Sequence, residues 1–296
     1  MTPKKHIFRL GKPQSKNTIR VGNNPRVQYS GEASGSSVGK KVKTATSWGA
    51  VTNWYKEHLE KDDTYHAQVI TPNISRIVQG AKGMRILDIG CGEGYFTRLF
   101  ATTGAYVEGA DISPELVTTA KQQSPSITYH VAPADHLSFA SREMFDVVTC
   151  VLALQNIERI ETVFKECRRV LKPDGRVIFV INHPAYRIPK ASSWGWDESL
   201  HIQYRRVNKY LSSSKEKIDM TPGKEEGKTY TYSFHRSLQD YSKALSSAGF
   251  AVQRLEEWIS HKTSEKGPRA RAEDVARKEF PLFLCIEAIV SERKNN

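Results

Sequence analysis

Short apolar runs alternate with segments of helical periodicity over most of this 296-residue chain. The runs have the length that is typical of buried strands, and they cover residues 85–89, 105–110, 127–131, 145–152, 176–181, 250–255 and 283–290. Between them, apolar residues recur at three-and-four spacing over residues 95–100, 114–123, 160–171 and 238–249, which predicts helices. This alternation predicts an α/β fold with a doubly wound sheet of seven strands and helices on both faces.

Three segments depart from this alternation. Residues 44–82 place aromatic and apolar side chains at helical spacing before the first strand, which predicts an N-terminal helical cap. Residues 182–237 and 260–280 interrupt the core domain, which spans residues 83–291. The first of these insertions is rich in aromatic residues and arginines, so we expect a folded lid that excludes water from a site. A small separate core beneath a long excursion is the alternative.

The basic residues of the chain are concentrated at its N-terminus. The formal net charge is +12, and residues 1–43 hold seven lysines and three arginines against the single acid Glu32. Gly, Ser, Asn and Pro are frequent in the same stretch, which favours a flexible tail. The alternatives are an RNA contact made by its basic charge and an organellar targeting segment.

The apolar runs and the cysteines indicate the cellular compartment. No apolar run reaches the roughly 18 residues that span a bilayer, and no secretory signal is visible, so we expect no membrane association. The four cysteines are scattered, without the paired spacing of a metal site, and are expected to be reduced core thiols. These observations predict a cytoplasmic protein without a bound metal.

The first predicted strand leads into a turn with glycine at every second position. Gly90, Gly92 and Gly94 follow the apolar strand directly and precede a predicted helix. Glycine lets the backbone adopt left-handed dihedrals and approach a ligand closely. Dinucleotide-binding folds use the spacing G-x-G-x-x-G. The pattern D-x-G-x-G-x-G, which begins at Asp88, therefore indicates a different cofactor.

Asp88 and the three glycines resemble the first motif of the class I S-adenosylmethionine (SAM) dependent methyltransferases. Residues 84–291 as a whole look like small-molecule members of the type 11 group of that family. The resemblance implies the family's strand order, in which the sheet is mostly parallel and the seventh strand is antiparallel. It also implies SAM as the cofactor and S-adenosylhomocysteine (SAH) as the product.

Later positions extend the resemblance. Asp111 ends the second strand, where the family places the acid that binds the ribose hydroxyls, and Ser113 is a natural helix N-cap just after it. Asp135 follows the third strand, where the family often has an acid that accepts from the adenine amino group. The resemblance thus implies a cofactor site made of Asp88, Gly90, Cys91, Gly92, Gly94, Asp111, Ile112, Ala134, Asp135 and Leu152.

Candidates for acceptor binding lie near the later strand ends and in the lid. Gln155 and Asn156 follow the fourth strand, where side chains of an open parallel sheet face the ligand crevice, although helix capping is the alternative. From the lid we select Tyr186, Trp196 and Tyr204 as aromatic contacts.

His183 directly follows the fifth strand and is the candidate general base. Histidine can accept a proton at neutral pH, which a hydroxyl or ammonium acceptor requires. In the alternative, His183 hydrogen-bonds the lid and an acidic acceptor needs no base.

These interpretations predict an enzyme that transfers a methyl group from SAM to an O or N nucleophile of a small acceptor, aromatic or anionic. The first alternative is an RNA methyltransferase that uses the basic tail. The second is a SAM-binding protein without catalytic activity.

Overall fold

A computed structural model describes residues 63–220 and 229–291 of the chain. The predicted tail, residues 1–43, lies outside the described residues, and so do residues 44–62 of the predicted cap. Residues 221–228 of the first insertion also lie outside them.

The described part begins with one helical segment. Residues His66–Ile70 form a π-helical turn that continues into helix α1, Thr71–Val78. Pro72 accounts for the change, because proline lacks an N–H for the helical ladder and its ring crowds the preceding turn. The apolar side chains of α1 are buried. The described part of the predicted cap is therefore helical.

The described residues form eleven strands. They are β1 (Arg85–Ile89), β2 (Tyr106–Asp111), β3 (Thr128–Val131), β4 (Phe145–Val151), β5 (Leu171–Asn182), β6 (Ser192–Asp197), β7 (Ile202–Val207), β8 (Ser214–Asp219), β9 (Tyr230–His235), β10 (Phe250–Trp258) and β11 (Phe283–Val290). Seven of them make the central sheet, in the order β10-β11-β5-β4-β1-β2-β3. Strand β11 is antiparallel to both of its neighbours, and β1 to β5 pair in parallel. The predicted mostly parallel, seven-stranded sheet is confirmed.

Helices cover both faces of this sheet. Besides α1 they are α2 (Tyr95–Ala101), α3 (Pro114–Gln123), α4 (Ile160–Val170), α5 (Leu238–Ser247) and α6 (Ala270–Glu279). One apolar cluster contains Phe164 of α4 and Tyr241 of α5, and the other contains Ile74 of α1 and Phe100 of α2. The neighbouring β5 residues Ile178 and Phe179 belong to opposite clusters, because successive side chains of a strand point to opposite faces.

Two helix starts follow local capping rules. The Ser113 hydroxyl accepts the N–H of Leu116 at 3.3 Å, so the predicted N-cap of α3 is confirmed. At the start of α5, Ser237 and Asp240 form a reciprocal capping box. Each start therefore satisfies N–H groups that the helix leaves unpaired.

Residues 172–175, which separate the predicted helix over 160–171 from the predicted strand over 176–181, lie within strand β5. Leu171 still pairs with Phe145 of β4, whereas Arg176 pairs with Val147, so the register shifts across these residues. The extra residues form a bulge, and the Lys172 ammonium binds Asp146 at 2.6 Å beside it. The strand therefore begins earlier than the apolar pattern indicated.

The first insertion folds as two separate hairpins, β6–β7 and β8–β9. Residues 260–280 supply α6, and the segment around this helix covers hairpin β6–β7. Trp194 packs edge-on against Phe280 with ring centroids 5.5 Å apart, and the Arg269 guanidinium lies 4.6 Å from the Trp196 ring. The two insertions therefore pack on each other.

The four cysteines are all free, and Cys150, Cys167 and Cys285 are buried as expected for core thiols. Within residues 63–220 and 229–291, no helix is long and apolar enough to cross a bilayer.

Candidate functional site

The glycine turn lies at the carboxyl end of β1. Gly90, Gly92 and Gly94 have φ angles of 65°, 57° and 83°. A Cβ on Gly90 would lie 2.4 Å from the Cβ of Ala153, so the turn packs directly on the segment after β4. A Cβ on Gly92 would meet no described atom within 4 Å. The turn is therefore tightly packed on one side and open to a ligand on the other.

Two cavities meet at this turn. The larger is a cleft of about 360 Å³, lined by residues from the carboxyl ends of β1, β2 and β4, the loop after β3, and hairpin β8–β9. The smaller, of about 30 Å³, lies between the glycine turn, the π-helical turn His66–Ile70 and the start of α2, and it is lined in part by His66 and Tyr95. Gly90, Gly92 and Val151 line both. The larger cleft falls in the size range of small-molecule sites, about 300 to 1,000 Å³.

Asp111 ends β2 and lines the larger cleft. Its Oδ2 accepts the N–H of Gly92 and its Oδ1 accepts the N–H of Ser113, both at 2.9 Å. Burial raises the pKa of this carboxyl, and the two N–H donors oppose that rise. Each oxygen retains capacity for a further donor. The carboxylate is therefore fixed in place and can accept two neighbouring hydroxyls, as ribose binding requires.

Asp88 lies beneath the turn and, with Cys91, lines the smaller cavity. The Asp88 carboxylate accepts the hydroxyls of Thr97 at 2.7 Å and Thr149 at 2.9 Å. Burial is the main cause that raises the pKa of Asp88 to about 6. An ammonium group in the smaller cavity would favour the ionised form of this carboxyl. Gly94 lines neither cavity, and its Cα packs against Tyr129 instead.

Ile112, Ala134 and Asp135 line the part of the larger cleft next to β2 and β3. Their neighbours there include the apolar residue Leu116, so this part of the cleft suits a flat apolar ring with a polar edge. Asp135 pairs with Arg159 at 3.0 Å, and the Arg159 side chain is largely exposed. Such a pair is worth about 1 kcal/mol or less, so Asp135 can exchange this partner for a donor on a ligand.

The segment after β4 contributes Leu152 and Asn156 to the larger cleft, whereas Gln155 does not line it. Leu152 has a φ of 55°, which is strained for a residue with a Cβ. Gln155 donates from Nε2 to the carbonyl of Leu152 at 2.6 Å and is mostly buried. The structure thus gives Gln155 a positioning role behind Leu152, while Asn156 remains a candidate for acceptor binding.

Hairpin β8–β9 forms the wall opposite the sheet. Lys215 of β8 and Tyr232 and Phe234 of β9 line the larger cleft. The Lys215 ammonium lies 4.8 Å from the Tyr232 ring centroid and 5.2 Å from that of Phe234, and 3.1 Å from Oε1 of Glu158. Sequence reasoning missed these three residues. The available signal was the period of two in residues 230–235, which places Tyr232 and Phe234 on one strand face.

His183 does not line either cavity. Its Nδ1 accepts the N–H of Ala185 at 3.2 Å, so its Nε2 carries the proton and donates to Glu257 at 2.7 Å. Burial lowers the pKa of His183, against the opposing effect of Glu257. Both nitrogens are therefore engaged within the chain. This geometry favours the alternative in which His183 hydrogen-bonds the lid, through the N–H of Ala185, and its role as a general base stays a prediction.

The lid residues selected from the sequence lie elsewhere as well. Tyr186 stacks on His183 with centroids 4.8 Å apart, and Tyr204 packs across hairpin β6–β7 on Gly195. Trp196 lies under Arg269, next to α6. None of the three selected aromatic residues lines either cavity, because hairpin β6–β7 packs on the second insertion rather than over the sheet edge.

Comparison with known proteins places this geometry among methyltransferases. Residues 87–179 match the family model described as "Methyltransferase domain". A ubiquinone biosynthesis O-methyltransferase from Xanthomonas oryzae pv. oryzae is 34% identical over 99 residues, which are 32% of this chain and 41% of that protein. The protein of the same name from Colwellia psychrerythraea is 29% identical over 152 residues, which are 48% of this chain and 61% of that protein. The chain thus spans less than two thirds of these relatives.

A solved structure covers more of the chain. The S-adenosylmethionine dependent methyltransferase from Mesorhizobium loti aligns with 74% of this chain and 96% of its own length. The two are 28% identical, with a TM-score of 0.59. The match extends beyond residues 87–179 and therefore includes more than the glycine turn and the strands next to it.

Proposed function

Because this chain carries a class I, SAM-dependent methyltransferase domain, we propose that it transfers a methyl group to an O or N nucleophile of a small acceptor, aromatic or anionic. One observation carries the proposal. The two cavities join at the glycine turn, and the larger has the Asp111 carboxylate on its sheet side and two aromatic rings on its lid side. This arrangement provides separate places for a nucleoside and for a planar acceptor.

The residues present fit SAM in both charge and shape. Asp111 would hold the ribose hydroxyls, and Ile112 and Ala134 would flank the adenine, with Asp135 near its amino group. The open backbone at Gly92 and the Asp88 carboxyl would take the amino-acid portion in the smaller cavity. When bound, SAM supplies a methyl group on a positively charged sulfur. As the methyl group passes to the nucleophile, the sulfur keeps the electron pair of the broken bond.

The walls of the larger cleft do not offer a free base. Among the described residues, no histidine lines it. Asp135 and Glu158 are each paired with a cation, and Asp111 is held by backbone N–H groups. We therefore propose that the acceptor reacts in an ionised form, and that the chain contributes chiefly by positioning the nucleophile and excluding water.

The relatives bear on the choice of nucleophile and on the alternatives. Proteins named O-methyltransferase support oxygen rather than nitrogen as the proposed nucleophile. The RNA alternative depends on the basic tail, which lies outside the described residues, and it stays a prediction.

Methyl transfer can be tested directly. The full chain is incubated with SAM and with separate sets of phenols, aromatic acids, amines and RNA, and SAH formation is measured. We expect turnover with an aromatic oxygen acceptor, and we expect Asp111→Asn to lose it at subsaturating SAM. Turnover with RNA alone would favour the RNA alternative. SAM binding without turnover on any set would favour the non-catalytic alternative.

A further inference from the structure

The lid wall of the larger cleft combines one cation with two aromatic rings. Lys215 pairs with Phe234 across the antiparallel strands β8 and β9, and Tyr232 lies on the same strand face two residues away. The Lys215 ammonium is within cation–π distance of both rings. These contacts restrict the lysine side chain, so the charge is held in one region of the cleft before a ligand arrives.

The counter-ion of Lys215 is replaceable. Glu158 lies in the loop after β4, its side chain is 65% exposed, and that of Lys215 is 46% exposed. An ion pair of this kind contributes about 1 kcal/mol or less. An anionic group of a ligand can therefore take the place of Glu158 without leaving an unpaired charge in the protein, because Glu158 then returns to water.

The other charges of the cleft are less suited to this exchange. Arg159, the second lining cation, pairs with Asp135 on the nucleoside side and makes no cation–π contact with the described aromatic residues. Asp111 accepts two backbone N–H groups and repels anions. Of the described lining residues, Lys215 is therefore the cation that combines an exchangeable partner with a surface on which a planar ring can pack.

We propose that the acceptor is an aromatic acid: its ring packs against Tyr232 and Phe234, and its carboxylate replaces Glu158 on Lys215. The proposal rests on the proposed function, since it names the substrate class of the same site. In this arrangement the Glu158 carboxylate and the substrate carboxylate compete for the Lys215 ammonium. Removal of Lys215 should weaken acid binding, whereas removal of the Glu158 charge should strengthen it.

The test compares matched acids and amides. Calorimetry measures binding of 4-hydroxybenzoate and 4-hydroxybenzamide to the full chain saturated with SAH. The corresponding acid and amide of a hydroxynaphthalene and of a hydroxycinnamic compound are compared in the same way. We expect an acid to bind up to about fivefold more tightly than its amide, because an ion pair at a half-exposed lysine contributes about 1 kcal/mol or less. Lys215→Met should abolish this preference, Lys215→Arg should retain it, and Glu158→Gln should increase acid affinity severalfold.

The control is Lys217→Met, on the same face of β8. Its ammonium lies 3.7 Å from the Tyr230 ring, and it does not line the cleft, so the preference for acids should persist. SAH affinity is measured for every variant and should not change, which also shows that each variant folds. Equal affinity for acids and amides, or no binding of any acid to a chain that binds SAH, overturns the proposal alone. Failure to bind SAH overturns the proposed function.

Discussion

The two walls of the larger cleft are built differently. On the sheet side, backbone packing and buried hydrogen bonds fix the groups that face the cofactor: Gly90 abuts Ala153, and Asp111 accepts two N–H groups. On the lid side, the cation at the cleft has an exposed counter-ion. A rigid wall suits a constant cofactor, and a wall with exchangeable contacts suits an acceptor that differs between related enzymes. Substitutions on the sheet side should therefore lower both the stability of the fold and the affinity for the cofactor. Substitutions on the lid side should change which acceptor binds.

A pair of glycine substitutions tests whether the sheet side separates into packed and open surfaces. Alanine at either position incurs the left-handed backbone cost, about 1 to 2 kcal/mol, but Gly90→Ala adds overpacking against Ala153 of about 1 to 3 kcal/mol. We expect Gly90→Ala to lose about 2 to 5 kcal/mol of unfolding free energy, measured by urea denaturation. Gly92→Ala should lose about 1 to 2 kcal/mol and also weaken SAH binding. Equal losses of stability would contradict the packing argument.

Asp111→Asn tests whether cofactor affinity depends on the sheet side and not on the lid side. The substitution removes the charge that two ribose hydroxyls would bind, so SAH affinity should fall by about 1.5 to 3 kcal/mol, measured by calorimetry. The matched lid variant Phe234→Leu should change SAH affinity by less than about threefold, because Phe234 lies on the lid side of the cleft. An unchanged affinity in Asp111→Asn would remove the ribose assignment.

His183 tests whether the start of the lid is structural. His183→Gln should lower the unfolding free energy by about 1 to 3 kcal/mol, because the buried hydrogen bonds to Glu257 and Ala185 are disturbed. SAH affinity should remain at the wild-type value. A fully stable variant that still binds SAH but loses methyl transfer would support His183 as the general base.

The pH dependence of SAH binding tests whether the charge of Asp88 contributes to cofactor affinity. The pKa of Asp88 is raised to about 6, so the carboxyl is ionised above that pH and protonated below it. Only the ionised form attracts the ammonium of SAH, so affinity should fall by up to about tenfold per pH unit below pH 6, measured by calorimetry.

Two variants act as controls for this pH effect. Asp88→Asn should bind weakly with little pH dependence. Asp111→Asn should retain the decrease, which separates Asp88 from Asp111, whose pKa burial also raises. A flat profile in the wild type would contradict the role of Asp88.

The sheet side was largely predictable because its signals are local. The apolar run, the glycine turn and the acid at the end of β2 lie within residues 85–111, and the Ser113 cap follows directly. Once the turn identified the fold, the family supplied the strand order and the antiparallel β11, which periodicity alone does not determine.

The lid side was not predictable in the same way, since it depends on contacts far apart in sequence. Arg236 donates to the carbonyls of Ile157 and Glu158 at 2.8 and 2.6 Å, and so anchors β9 beside the segment after β4. No local pattern indicates which of two aromatic hairpins receives such an anchor. The role of His183 likewise depends on Glu257, which is 74 residues away.

The most direct test of this account is calorimetric titration of the full chain with SAH, with NADH as a control. We expect micromolar binding of SAH and no binding of NADH, because the acid and glycine spacing at β1 suits a nucleoside with an amino-acid portion rather than a pyrophosphate. Binding of NADH in place of SAH, or binding of neither, would contradict the assignment of both cavities.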